Sequence, residues 1–437
     1  MISTLLSPRY AIADFPKNFL WGAATAAHQV EGGNTQNDWY HWENSGGARD
    51  HSGLACDFWH RYSSDFDLAR DLNMNAFRLS VEWSRIEPRP GEFDISVIET
   101  YRQILITARS KGLQTMVTLH HFTTPEWLAS SGGWLSPAAI VRFKSFTDRV
   151  VLELGSEVDY WNTINEANVV ALMGFVVGVS PPGLQDIKLG MRAYSNLIEA
   201  HAAAYRSIHA VFPNARVGIA HHMRVFEPAR KNNIMDRTLA RWVGNFWNKQ
   251  FLEAIVTGEI NLHIGPLFRV RKKVDGLKGS LDFLGINYYS RDKIRFKADE
   301  KVFFKIDTVP TGTPQNDLGW EIYPQGLVRV VNSVKKYGWP IYITENGAAD
   351  RDDVVRPKFI CDHLMALESS IESGADVRGY FHWSLSDNFE WSLGFAPRFG
   401  LYAMNYETQE RTLRPSGQLY GEIARAGSAR AVCGRSN

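Results

Sequence analysis

Apolar and polar positions along the chain alternate between two rhythms. Short runs rich in β-branched and aromatic residues recur eight times, at 19–24, 76–83, 115–122, 158–165, 216–221, 282–289, 340–346 and 377–385, and read as strands. Between them apolar side chains return every three or four positions. Phe58, Tyr62, Phe66, Ala69 and Leu72 share one helical face, as do Ile98, Tyr101, Leu105 and Ala108 ahead of the stop at Gly112. Ser136 followed by Pro137 marks a helix start for Ile140, Phe143, Val150 and Leu154. Leu327, Val330, Val331 and Val334 before Gly338, and Phe359, Ile360, His363, Leu367 and Ile371 before Gly374, repeat the pattern. Eight alternations of strand and helix predict a parallel sheet, and the number eight favours closure into a (β/α)8 TIM barrel over an open doubly wound sheet. Residues 1–437 are therefore expected to form one catalytic barrel domain, ordered from about 15 to 425. The polar stretch 291–316 reads as a loop insertion, and the small and charged residues from Ala426 onward as a frayed end.

Composition narrows what such a barrel can act on. Forty-eight basic residues against forty-seven acidic ones leave a formal charge of +1, so no net field draws the chain to nucleic acid or to an anionic membrane. A neutral small molecule is the expected partner. Glycine-rich phosphate turns and Walker-type lysine loops are absent from the sequence, which leaves no support for nucleotide chemistry, and neither cofactor nor metal is expected. The fourteen Trp are unusual, and a broad indole face suits stacking on a sugar ring. Cys56, Cys361 and Cys433 are odd in number and scattered, which suits no disulfide framework and favours a reducing compartment. With no leader pattern in residues 1–16 and no apolar run of about 18 residues, a cytoplasmic location is expected. Oligomeric state is not legible.

Polar residues stand at the carboxyl end of nearly every predicted strand, where barrel enzymes assemble their active sites. His28 and Gln29 follow the first run, and Arg78 lies in the second. His120 and His121 end the third, Asn165 and Glu166 the fourth, and His221 and His222 the fifth. Asn287, Tyr288 and Tyr289 end the sixth, Glu345 and Asn346 the seventh, and His382 and Trp383 the eighth. Two carboxylates at the ends of strands four and seven, roughly opposite in a barrel, are what glycoside hydrolysis needs: one acid to protonate the leaving oxygen and one carboxylate to attack the anomeric carbon or activate water. Each Glu alone is equally a salt-bridge partner, and Arg78 fits both readings. A non-catalytic sugar-binding barrel and a metal-dependent hydrolase using His120, His121, His221 and His222 are the competing readings. The second is weakened because adjacent strand residues point to opposite faces.

Three segments carry a resemblance to the family-one glycoside hydrolases, covering residues 15–402. Residues 19–32 (FLWGAATAAHQVEG) resemble the family's N-terminal signature, Thr163-Ile164-Asn165-Glu166 its acid/base motif and Ile343-Thr344-Glu345-Asn346-Gly347 its nucleophile motif. The resemblance implies a retaining β-glycosidase of β-glucosidase type acting on terminal non-reducing β-D-glycosyl residues (glucose, galactose or fucose) through a covalent glycosyl-enzyme. It makes Glu166 the acid/base and Glu345 the nucleophile, with Arg78, Asn287 and Tyr289 in support. Gln29, His121, Asn165, Glu390 and Trp391 would bind sugar hydroxyls, Trp383 would stack beneath the ring, and Phe399 would close the pocket. Phe122 stands where many members have Trp, which removes an indole N–H donor. The intact Asp387-Asn388-Phe389-Glu390-Trp391 segment implies an unphosphorylated sugar, because a carboxylate at Glu390 would repel a phosphate. Glu rather than Gln at 166 implies ordinary O-glycosides. Neutral β-glycosides or short oligosaccharides are thus the expected substrates.

Overall fold

The computed structural model describes residues 14–266, 268–298 and 304–434. Eight parallel strands form a closed ring: β1 Leu20–Ala24, β2 Ala76–Ser80, β3 Gln114–His120, β4 Tyr160–Asn165, β5 Val217–Pro228, β6 Phe283–Phe296, β7 Ile341–Asn346 and β8 Val377–Trp383. Each pairs with its sequence neighbours, and β8 closes on β1 through Leu20 opposite Gly379 to Ala24 opposite Trp383. Every expected strand is present, and the (β/α)8 TIM barrel is the observed architecture.

Side chains sort by strand alternation. Leu20, Ala24, Ala76, Met116, Tyr160, Phe283, Tyr342 and Phe381 come from seven strands yet form one buried apolar cluster, which only inward-pointing residues can do. The alternate positions, among them Phe77, Leu79, Val117, Leu119, Ile286 and Ile343, pack outward against the helices. These include α1 Phe58–Asp71, α2 Ile95–Ser110, α3 Ala138–Leu154, α4 Ile187–Val211, α5 Ile234–Asn248, α6 Gln250–Thr257, α7 Pro324–Val334, α8 Arg356–Glu372 and α9 Pro415–Ala426. Gly112 ends α2 with φ of +81°, a left-handed value that its missing Cβ makes accessible. Ser136 Oγ accepts from the Ala138 N–H at 3.3 Å, so the expected start of α3 is one residue early at most.

Three expectations need correction. The stretch from 291 is not all loop: β5 and β6 continue pairing beyond the barrel rim as far as Pro228 opposite Ile294, and Phe304–Ile306 adds antiparallel to the end of β6. Buried Ser290, Asp292 and Ile294 alternate there with half-exposed Arg291, Lys293 and Arg295, so a strand pattern was hidden by polar composition. Cys361 and Cys433 are joined by a disulfide despite 72 residues of separation, and Cys56 alone is free and buried. The cysteine argument for a reducing compartment is lost with it. Nor is the chain frayed between 426 and 434: α10, Ala429–Cys433, is capped by Ser428, tied by the disulfide to α8, and donates the Ala429 N–H to Glu368 at 2.6 Å, while the remainder of the expected frayed end, 435–437, lies outside the described residues. Among the described residues no helix is long and apolar enough to cross a membrane.

Candidate active site

At the carboxyl end of the barrel, Arg78 organises two carboxylates. It projects from β2 and is fully buried, so its donors must all find acceptors inside the protein. Nη1 donates to Glu345 Oε1 at 2.6 Å and to the Thr344 carbonyl at 3.1 Å. Nη2 donates to Asn165 Oδ1 at 2.7 Å, and Nε to Thr118 Oγ1 at 3.2 Å. Three neighbouring strands and β7 opposite are thus joined by one guanidinium. The Tyr289 hydroxyl donates to the other oxygen of Glu345 at 2.7 Å. Asn287 Nδ2 donates to Glu166 Oε1 at 2.7 Å and to Asn165 Oδ1 at 3.0 Å, while its own Oδ1 accepts from Thr344 Oγ1 at 2.7 Å.

Glu166 itself sits one residue beyond β4 with φ of +47°, a left-handed conformation rarely adopted by a non-glycine residue. Its N–H donates to the Ala220 carbonyl at 2.8 Å, and Ala167–Leu172 turns into helix immediately after it. Two other site residues, Phe122 at +72° and Trp391 at +50°, are held in the same region. Non-glycine residues of this kind cluster where surrounding contacts over-determine the backbone.

The environments make the two carboxyls unequal. Burial, with the negative charge of Glu345 next in size, raises the Glu166 pKa well above the carboxylate range. Burial also raises Glu345, but the Arg78 charge and hydrogen bonds from Tyr289, Arg78 and Asn287 pull it back. Glu166 is therefore the protonated partner and Glu345 the one whose charge is supported. Glu390 is pushed up to about 8, first by burial and then by the charge of Glu345.

These carboxyls open on a pocket of about 220 Å³. Gln29, His121, Asn165, Trp383, Glu390, Trp391 and Phe399 line it together with Glu166, Tyr289 and Glu345. Of the expected site residues, Arg78 and Asn287 lie behind this lining and reach it through hydrogen bonds; all the others face it. Gln29 Nε2 donates to the Phe389 carbonyl at 2.7 Å and approaches Glu390 Oε2 at 3.4 Å. Asn165 and His121 pair through Nδ2 and Nε2 at 3.1 Å. Trp391 packs on Trp39, Phe122 and His28. Phe399 meets Tyr289 and Trp320 at ring distances of 6.3 and 6.4 Å.

Val169, Met173, Arg224, Trp247 and Trp320 also line the pocket and were not among the residues expected from sequence. Trp247 comes from α5, and Arg224 from the part of β5 above the rim. Val169 and Met173 stand three and seven residues beyond Glu166, in the helical segment that begins there, so closeness to that strand end is the one signal that points to them; nothing local marks Trp247 or Trp320. Of the paired histidines, His120 and His222 each accept from an indole N–H, of Trp134 at 3.3 Å and of Trp247 at 3.0 Å.

Comparison with known proteins agrees with this geometry. Residues 11–428 match the profile described as glycosyl hydrolase family 1. β-Glucosidase A of Thermotoga maritima is 33% identical, the match covering 95% of this chain and 98% of the relative. A β-galactosidase of Pyrococcus woesei is 32% identical over 94% of this chain and 96% of its own. Among solved structures, a β-glycosidase from Pyrococcus horikoshii superposes with a TM-score of 0.88 at 36% identity, covering 95% of each chain. The family 1 β-glucosidase of Thermotoga maritima gives 0.90 at 32% identity, covering 96% of this chain and all of the other. With the match running almost end to end on a barrel whose strand ends converge on two carboxyls, this chain is a glycoside hydrolase and belongs to glycosyl hydrolase family 1.

Proposed function

We propose that the chain is a retaining β-glycosidase that releases terminal β-D-glucose, and related galactose or fucose, from small neutral β-glycosides such as short β-linked glucosides. It acts as one catalytic barrel unit without a cofactor. The observation that carries the reading is the asymmetric pair: Glu345 held between Arg78 and Tyr289, Glu166 kept protonated by burial and by Glu345 itself. Names of relatives point the same way, since they include β-glucosidases and β-galactosidases, and one similar structure is a β-glucosidase in complex with glucoimidazole.

In this mechanism Glu345 attacks the anomeric carbon as Glu166 gives its proton to the departing oxygen, leaving the sugar esterified to Glu345. Esterification removes the charge that had raised the Glu166 pKa. Glu166 then accepts a proton from water, whose oxygen attacks the same carbon and frees the sugar with its β configuration kept. Arg78 and Tyr289 serve the ionised nucleophile, and Asn287 orients Glu166. Gln29, His121, Asn165, Glu390 and Trp391 bind hydroxyls, with Trp383 and Phe399 as apolar walls. Buried Gln29 Oε1 and His121 Nδ1 have no hydrogen-bond partner among the described residues, which suits them to ligand hydroxyls. Glu390 opposes a phosphate in the same place.

Proton NMR of nitrophenyl β-glucoside hydrolysis tests the whole reading. The β-anomer is expected first, with α appearing only by mutarotation. Glu345→Gln should lose activity on every leaving group. Glu166→Gln should lose on the order of 10²- to 10⁴-fold with alkoxide leaving groups, the usual contribution of a general acid, and much less in the first step with nitrophenoxide. First release of the α-anomer, or near-wild-type turnover by Glu345→Gln, overturns the assignment.

A further inference from the structure

At the opposite end of the barrel from Glu166 and Glu345, the starts of β4 to β8 surround a cavity of about 540 Å³ that the reaction does not use. Its floor is Tyr160, Phe283 and Tyr342, three buried rings in mutual edge contact at centroid distances of 5.1, 5.3 and 5.8 Å. The Tyr160 and Tyr342 hydroxyls share one hydrogen bond at 3.4 Å. Two donors joined by a single bond leave one proton over, and no other acceptor among the described residues takes it. Arg216, just before β5, lies over the Tyr160 ring at 4.8 Å, and Arg378 stands on β8; both reach solvent. Burial, first of all, and the bond with Tyr160 raise the Tyr342 pKa, while both guanidiniums oppose that rise, so both stand near the same hydroxyls.

Donors and acceptors are out of balance here. Asp376 accepts from Nε and Nη2 of Arg378 at 2.8 Å each, which occupies both its oxygens and leaves Nη1 of the guanidinium over. Asp282, the other carboxylate of the lining, is met by the Tyr205 hydroxyl, His209 Nε2 and the Val217 N–H at 2.8, 2.9 and 2.9 Å. The N–H groups of Arg216 have no acceptor among the described residues. A guanidinium seated over an aromatic ring keeps its N–H edge for the two oxygens of a carboxylate or phosphate, and the ring floor suits a compact organic body. We propose that this cavity binds small organic oxyanions, a carboxylate or a phosphate ester on a ring-sized body, whose head meets Arg216, Nη1 of Arg378 and the spare tyrosine proton. Its walls come from five consecutive strands, so the ligand ties their starts together and stabilises the barrel without entering the catalytic end. The site stands independently of the glycosidase reading.

Calorimetric titrations and thermal melts with benzoate, phenyl phosphate and inorganic phosphate, each against sodium chloride at equal ionic strength, test it. Benzoate or phenyl phosphate should bind one-to-one and raise Tm as its concentration passes Kd, and the tighter of the two names the head group. Inorganic phosphate, which has no body to rest on the rings, should bind more weakly than phenyl phosphate. Arg216→Gln and, independently, Arg378→Gln should each weaken binding on the order of tenfold or more, the worth of a charge-assisted hydrogen bond, while nitrophenyl β-glucoside turnover and the ligand-free Tm stay near wild type. No binding of either organic anion, a Tm rise matched by sodium chloride, or unchanged affinity in both folded variants overturns the site. Equal affinity for inorganic and phenyl phosphate overturns the organic body assigned to its ligand.

Discussion

Tyr289 shows how much a single hydroxyl can be asked to do. Burial and the neighbouring carboxylate charges raise its pKa well above that of a free phenol, so at any working pH it is a donor, and its acceptor is the proposed nucleophile at 2.7 Å. A hydrogen bond to a charged acceptor contributes roughly 1.5–3 kcal/mol. Tyr289→Phe should therefore lower kcat/KM about 10- to 100-fold while leaving the fold intact, because the ring keeps its packing beside His222, Trp320 and Phe399. The pH profile separates this from a mere packing defect. The donor favours the ionised form of Glu345, so its loss raises that pKa, and the acid limb of kcat/KM should move to higher pH. Profiles of wild type and variant that superpose after scaling would show that Tyr289 does not tune Glu345.

At the level of elements, the C-terminal helix offers a direct measurement. Disulfide Cys361–Cys433 ties α10 to α8 across 72 residues, and Glu368 on α8 also accepts from the N–H groups of Ala429 and Arg430. Closing a loop of that length restrains the unfolded chain by roughly 4 kcal/mol in the chain-entropy picture, and about 2–4 kcal/mol is typical in practice. Urea unfolding of Cys361→Ser/Cys433→Ser should show that loss with catalytic rates unchanged, since neither residue approaches the pocket. Thiol titration of the denatured wild type should count one free thiol, Cys56; three would remove the basis of the expectation. The same pair marks a limit of sequence reading. Spacing alone cannot bring Cys361 and Cys433 to a Cα separation of 5.9 Å, because that proximity is made by helix docking. The rim strand after Tyr289 was likewise illegible, its alternation masked by arginines that find carboxylates in the folded state, Arg291 with Glu321 at 2.6 Å and Arg295 with Asp307 at 2.5 Å.

Across the whole molecule, what could be read locally was what local periodicity encodes. The eight barrel strands are buried on both faces, so apolar side chains stand on both, and their carboxyl ends name Glu166 and Glu345 directly. Trp247 and Trp320 could not be found that way, because they reach the pocket over the rim from elements far from any strand end. The barrel's burial of ionisable groups has a consequence that only the assembled structure makes visible. Burial first of all holds Asp38 and Glu390 protonated up to about pH 8, whereas in the unfolded chain both ionise near pH 4. Over that interval the folded state keeps protons that the unfolded state has released, so stability falls as pH rises, and the share of these two groups is lost by about pH 8. Buried histidines act oppositely: His120 and His382 are pushed down to about 3, and His201, His221 and His363 to about 4. Their loss of stability occurs below about pH 6.5, where the unfolded chain takes up protons and the folded one does not. Between pH 6.5 and 8 the carboxylates act alone, each at no more than about 1.4 kcal/mol per pH unit. Thermal melts should therefore show Tm falling across pH 6.5–8, and Asp38→Asn/Glu390→Gln should reduce that slope, the remainder coming from Glu166, which burial and the charge of Glu345 also keep protonated. A wild-type Tm constant over the same range would mean that both carboxyls ionise freely in the fold.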